Sequence, residues 1–293
     1  MPYRRFIYRG AAFLLLTLWA GVAIAGTHPA LWVAKNEHAT VYLFGTVHLL
    51  PTDTDWSSPQ LDEALKQSQD LTIELTDDDP LNMQRLVFQY GVDMEHPLTS
   101  KLSADDLVRL RKAAVAAKLP GGMTALNAMQ PWMAALTLTV APLVQAGLDP
   151  DQGVDKILKK RMLAAGKPVL GLETAEQQIR LLADMSEPLQ LSFLRATFDD
   201  VSDGAAKLRE LIDAWKNGDI AAIARIEDED MHKESPQLYR LLIVQRNRAW
   251  ALAIAKRMQR PGVSFVAVGA GHLAGPDSLQ NQLQQLHVSV RRE

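Results

Sequence analysis

Four short runs of β-branched and aromatic residues punctuate a chain otherwise patterned for helix. Val41-Tyr42-Leu43-Phe44 stops at Gly45, and Leu71-Thr72-Ile73-Glu74-Leu75 is a second such run. Between them Ser58 can cap a helix with Pro59 at its first position, and Leu61 and Leu65 supply the apolar stripe. Strand, helix and strand over about 35 residues is the length of a right-handed βαβ crossover, so the sheet is expected to begin parallel. A third run, 168–173, leads into Thr174-Ala175-Glu176-Gln177, a capping box with Thr174 as N-cap, which places Glu173 where strand gives way to helix. The fourth, 263–268, ends at Gly269; Gly275-Pro276 then introduces a last helix before Val288-Ser289-Val290. Helical patterning covers 104–117, closed by Gly121-Gly122, then 131–146, a turn at Gly147-Leu148-Asp149-Pro150, and most of 188–260 with a break at Asn217-Gly218. The pattern predicts an α/β fold: a mainly parallel or mixed central sheet flanked by helices, with a large helical insertion over about 100–165 and 188–260.

Composition narrows the class. Of 293 residues 47% are hydrophobic, enough to bury a substantial core. The 31 basic and 34 acidic residues leave no basic footprint, so nucleic acid is not an expected partner. There is no cysteine, which excludes disulfides, thiolate nucleophiles and zinc–cysteine sites, and any metal must be held by His, Asp or Glu. Arg4, Arg5 and Arg9, an apolar run over 11–25 and the closing Ala23-Ile24-Ala25 together form a secretory signal with cleavage expected after Ala25. Retention of the run as an anchor is the alternative, since 10–26 reaches the lower edge of a membrane span. The mature chain, 26–293, is expected as one periplasmic or secreted domain with no further membrane span. Its net charge moves from −3 to −6 on loss of the three arginines.

Candidate chemistry collects at strand ends, the edge where open α/β sheets bind ligands. His48, Glu74, Glu173 and His272 all lie there. The two histidines share a context, Phe44-Gly45-Thr46-Val47-His48 and Val268-Gly269-Ala270-Gly271-His272: a buried strand, a glycine turn, and His three residues after the glycine. Two imidazoles and two carboxylates could converge on one cation or one catalytic water. Glu74, an acid in an apolar strand, is expected to be paired, metal-bound or protonated. Arg246 falls on the apolar face of a helix over 235–260 with Leu238, Leu242, Ala249 and Ala253. A guanidinium there needs an acid, Glu74 or Glu173, or binds a substrate oxyanion. Asn247 beside it offers an amide. No G-x-S-x-G elbow, H-E-x-x-H helix, phosphate loop or dinucleotide fingerprint is present.

In the order of these segments the chain resembles the TraB/PrgY/GumN group, to which the animal Tiki proteins also belong. The likeness is carried from about Leu31 onward by 42–48, the strand ending Glu74-Leu75, Gly153-Val154-Asp155, Gly171-Leu172-Glu173-Thr174 with Gln177, Arg246-Asn247, and 268–273. The resemblance implies a fold similar to the erythromycin-esterase and ChaN-like proteins. From the Tiki branch it implies a divalent-metal-dependent, protease-like hydrolase using His48, Glu74, Glu173 and His272. The second motif reads Gly-Ala-Gly-His where the Tiki branch has Asn after the first Gly, which loosens the tie to that branch's substrate. The leading expectation is therefore an exported peptidase-like hydrolase with manganese, cobalt, iron or zinc held by those four residues and Arg246 stabilising the oxyanion. A metal-free esterase-type hydrolase with His48 as base oriented by Glu74, and a non-catalytic binder of peptide or saccharide, are the alternatives.

Overall fold

A computed structural model describes residues 28–52, 54–201 and 203–293. The expected signal over 1–25 lies outside the described residues.

Six strands form one sheet: β1 (Leu31–Lys35), β2 (Ala39–Thr46), β4 (Asp70–Ile73), β6 (Val169–Gly171), β7 (Gly262–Gly269) and β8 (Ser289–Arg292), in the spatial order β6-β4-β7-β2-β1-β8. The strands β6, β4, β7 and β2 run parallel, β1 lies antiparallel to β2, and β8 antiparallel to β1. The sheet is thus mixed and flanked by helices, as expected. Two short strands, β3 (Leu50–Pro51) and β5 (Leu148–Asp149), make a separate antiparallel pair. The β2–β4 crossover differs from the simplest expectation: the two strands are parallel but not adjacent, because β7 occupies the slot between them. That central strand is buried from Ser264 to Val268, consistent with a strand covered on both faces.

One face packs Phe44, Leu71 and Phe265 against α1 (Pro59–Gln67), α6 (Val154–Ala164), α9 (Gly204–Lys216) and α10 (Ile220–Ile223). The other packs Leu43, Val266 and Val268 against α13 (Gln245–Arg257) and α14 (Leu279–Gln285). The insertion between β4 and β5 holds α2 (Pro80–Gly91), α3 (Ala104–Ala116), α4 (Gly122–Asn127) and α5 (Pro131–Gln145). After β6 come α7 (Ala175–Ala183), α8 (Glu187–Asp200), α11 (Asp230–Glu234) and α12 (Pro236–Tyr239). Leu110, Leu126, Leu138, Leu194 and Phe198 give this helical part a core of its own. The sequence cues act locally as chemistry requires. Ser58 Oγ accepts the Leu61 N–H at 3.1 Å, and the Thr174/Gln177 capping box is complete. Gly121 does more than end a helix: with φ 76° it starts α4. The segment over 235–260 is helical but carries a π-helical turn, Arg240–Val244, ahead of α13, and a second π turn, Ala224–Glu229, follows α10.

Candidate functional site

Parallel pairing aligns the carboxyl ends of β2, β7, β4 and β6, and the sequence-predicted residues emerge there together. His48 leaves β2, Glu74 follows β4, Glu173 follows β6, and His272 sits in a 3-10 turn, Ala270–Leu273, directly after β7. Backbone bonds beyond the strands keep the alignment, with the Glu173 N–H donating to the Glu74 carbonyl at 2.8 Å.

Arg246 of α13 is the hub. Its Nε and Nη2 donate to Glu173 (3.0 Å to Oε1, 2.9 Å to Oε2), Nη2 also donates to Glu74 Oε2 at 2.7 Å, and Nη1 donates to His272 Nε2 at 3.1 Å. The guanidinium lies over the Trp250 ring at 4.5 Å, and Trp250 Nε1 donates to Glu173 Oε1. Glu74 is satisfied on its far side by the Gly269 N–H (2.7 Å) and Gln178 Nε2 (3.0 Å). Asn247, fully buried, accepts from His272 Nδ1 at 2.8 Å and donates to the His272 and Asp277 carbonyls. These contacts fix the neutral tautomer of His272, with the proton on Nδ1 and the Nε2 lone pair given to Arg246.

His48 is placed differently. Its Nδ1 meets Asp155 Oδ1 at 3.0 Å, and its side chain is 59% exposed against 12% for Arg246. Asp155 sits in the first turn of α6, whose Val154 N–H binds the Val47 carbonyl at 3.0 Å. Gly153 makes the approach feasible, since a Cβ there would stand 2.8 Å from the His48 carbonyl oxygen. The π turn brings Glu227 against Gly271, whose N–H its carboxylate accepts. A side chain at Gly271 would be driven into that carboxylate, and one at Gly269 would lie 3.2 Å from Glu74 Oε1 and 3.7 Å from His48 Nε2. A cavity of about 220 Å³ opens here, walled by Thr46, His48, Glu74, Asp155 and Gln178. The buried Thr46 hydroxyl has no hydrogen-bond partner among the described residues.

The titrating groups are pulled apart. Partial burial works against charge on His48, but the Asp155 hydrogen bond and charge, then Glu74 and Glu227, outweigh it and raise its pKa to about 9. Burial opposes the Glu74 charge too, yet His272, protonated at the low pH where Glu74 titrates, together with Arg246, His48 and the Gly269 N–H brings it down to about 2. Burial, Arg246 and His48 depress His272 to about 3, against the pull of Glu74. At neutral pH His272 is therefore uncharged, and Arg246 carries most of the compensation for Glu74. Glu227 moves the other way, to about 7, because burial and Glu74 outweigh His48 and the Gly271 N–H.

The TraB/PrgY/gumN family model matches residues 30–292, nearly all of the described chain. The chain belongs to the TraB/PrgY/gumN family. Among relatives of this TraB/PrgY/gumN chain, the uncharacterized protein YbaP of Escherichia coli (strain K12) is 28% identical over 278 residues, 92% of this chain and 97% of that protein. YbaP of Shigella flexneri aligns to the same extent. An uncharacterized protein of Treponema pallidum (strain Nichols) is 24% identical over 265 residues, 85% of this chain and 78% of that one. No solved structure matches.

The TraB/PrgY/gumN motif residues named from sequence thus meet at one sheet edge, but in two groups. Glu74, Glu173 and His272 surround Arg246, while His48 pairs with Asp155 rather than with Glu74, the orienting partner expected for it in the metal-free alternative. Arg246 has no donor turned to the cleft, since its N–H groups are engaged by Glu173, Glu74, His272 and the Leu242 carbonyl. The four expected metal ligands do not fit a metal in this arrangement. The His272 Nε2 lone pair and both Glu173 oxygens are turned on a guanidinium, and no group of three or more His, Asp or Glu among the described residues is disposed to hold an ion. Asp155 and Glu227 received no role from sequence: Asp155 stood in a motif, and Glu227 lay unmarked in an acidic helical run.

Proposed function

We propose that the chain is a hydrolase of peptide or other small carbonyl substrates whose site is held together by Arg246 rather than by a bound metal. The observation that carries this reading is the contrast between the two histidines. His272 is sealed by Asn247 and Arg246, whereas His48 has one nitrogen held by Asp155 and the other directed toward Gly269 and Glu74 in an open cleft. Held above neutrality, the His48 imidazolium is a strong donor for the oxyanion that forms when water adds to a carbonyl. Glu74, ionised and anchored on three sides, keeps that charge in place. With the expected signal over 1–25, the same reading places the work outside the cytoplasm.

The test is a panel of chromogenic esters and amidated peptides with the parent chain and His48→Gln, in chelator and after resupply of manganese, cobalt, iron and zinc. Turnover that survives chelation and falls at least about 100-fold in His48→Gln supports the proposal. Turnover that appears only with added metal returns the metal-dependent reading. Saturable ligand binding with no turnover in any arm makes the chain a binding protein.

A further inference from the structure

If His48 enters the reaction already protonated, another group must take the proton from water. We propose that Glu227 is the general base of this site, an assignment that rests on the hydrolase reading above.

The geometry behind it has three parts. Glu227 belongs to a π-helical turn, Ala224–Glu229, wedged between α10 and the rest of the helical layer, and such turns recur where a side chain must be re-aimed. Its carboxylate rests on the backbone of Gly271, where any side chain would expel it, and two residues away Gly269 clears the space beside Glu74 and His48. No side chain among the described residues hydrogen-bonds the Glu227 carboxylate, in contrast to Glu74 and Glu173, which are saturated by Arg246, Gln178 and Trp250. A partly buried acid with one backbone donor has lone pairs left for a water. The orphaned Thr46 hydroxyl on the wall of the neighbouring His48–Glu74 cavity is a second polar group that a water would satisfy. The upward shift of Glu227 to about 7 agrees with a carboxyl that gains and loses a proton near neutrality.

The step balances within these residues. Glu227 carboxylate takes a proton from water as the water oxygen bonds to the carbonyl carbon, and the carbonyl π pair moves to oxygen, where the His48 imidazolium donates to it. Collapse of the tetrahedral species breaks the bond to the amine or alcohol, which leaves with the proton held by Glu227. The acid product departs and the site is restored with no other reagent.

The experiment compares Glu227→Gln, Glu227→Ala and Gly271→Ala with the parent and with His48→Gln on the best substrate of the panel, with thermal melts to confirm folding. Glu227→Gln keeps the size of the side chain and an oxygen for the Gly271 N–H, so it is expected to melt like the parent or above it. Its kcat should drop about 100-fold or more, with KM within about threefold. Added formate should restore part of kcat to Glu227→Ala and none to His48→Gln, which a merely structural role would not produce. Gly271→Ala, which displaces the carboxylate without removing it, should show a smaller loss of the same kind. A Glu227→Gln chain that keeps kcat within about fivefold while His48→Gln is inactive overturns the assignment and leaves the hydrolase reading standing. A parent chain inactive in every arm overturns both.

Discussion

Four ionisable side chains around one cleft hold their protons on unequal terms, and Glu227 is the one whose burden is measurable. Its folded pKa lies near 7 against 4.5 for a free glutamic acid. The folded state therefore binds the proton more tightly than the unfolded chain does. That contribution is fully present below about 4.5 and is lost as pH rises through about 7. Above pH 7 the fold carries an ionised, desolvated carboxylate, and Glu227→Gln should be more stable than the parent by on the order of 2 kcal/mol at pH 8.5. The difference should shrink toward zero at pH 4.5; paired thermal melts at the two values check it. His48 acts in the same direction over a higher window: raised by Asp155 from 6.5 to about 9, it stabilises below 6.5 and ceases to do so as pH passes about 9. Sequence reasoning reached His48, Glu74, Glu173, Arg246 and His272 because strand-end position and a charge on an apolar stripe are visible in one dimension. It passed over Asp155, since an acid in a first helical turn is explained by the helix dipole alone. It passed over Glu227 because an acidic run reads as a solvated face, and a π turn breaks the 3.6-residue register on which facing is inferred.

Helix α13 is the element on which the site hangs, for it brings Arg246, Asn247 and Trp250 to three different strand ends. Replacing Arg246 by Met would leave Glu74 and Glu173, each 13% exposed in its side chain, without their shared cation. The expected cost is about 3–5 kcal/mol, read from the urea midpoint at unchanged slope. Arg246→Lys should recover only part of it, because an ammonium cannot span both oxygens of Glu173 and still reach Glu74 and His272. Neutralising Glu173 as Gln in the Arg246→Met chain should return part of the loss, which distinguishes an orphaned charge from a cavity. At this scale the strands were legible as β-branched runs stopped by glycine. Helix α2 and strand β1 were among those that were not. Helix α2 exposes Leu81 and Phe88, so its apolar positions do not form one stripe. Strand β1 follows the apolar N-terminal run so closely that the two merge in a hydropathy pattern.

The whole molecule has separate cores. Two pack on the faces of the sheet and another lies within the helical insertion around Leu110, Leu138 and Leu194. Among the described residues no helix is long and apolar enough to cross a membrane. Because the helical core shares few residues with the sheet, it is expected to open by itself. Native-state hydrogen exchange should give the amides of α3 and α5 lower opening free energies than those of β2 and β7, and equal values would show one cooperative unit instead. The order of the strands has a consequence for how the molecule comes into being. Its middle strand is made after its neighbours: β7 follows β2, β4 and β6 along the chain, yet it supplies the ladder partners of both β2 and β4. A nascent chain emerging from the ribosome therefore carries two strands with unpaired edges and a vacant seat between them. Until β7 emerges it can neither close its sheet nor bring His48 and Glu74 to the Gly269 backbone. Chains cut short by a premature stop should consequently be sticky as well as inert.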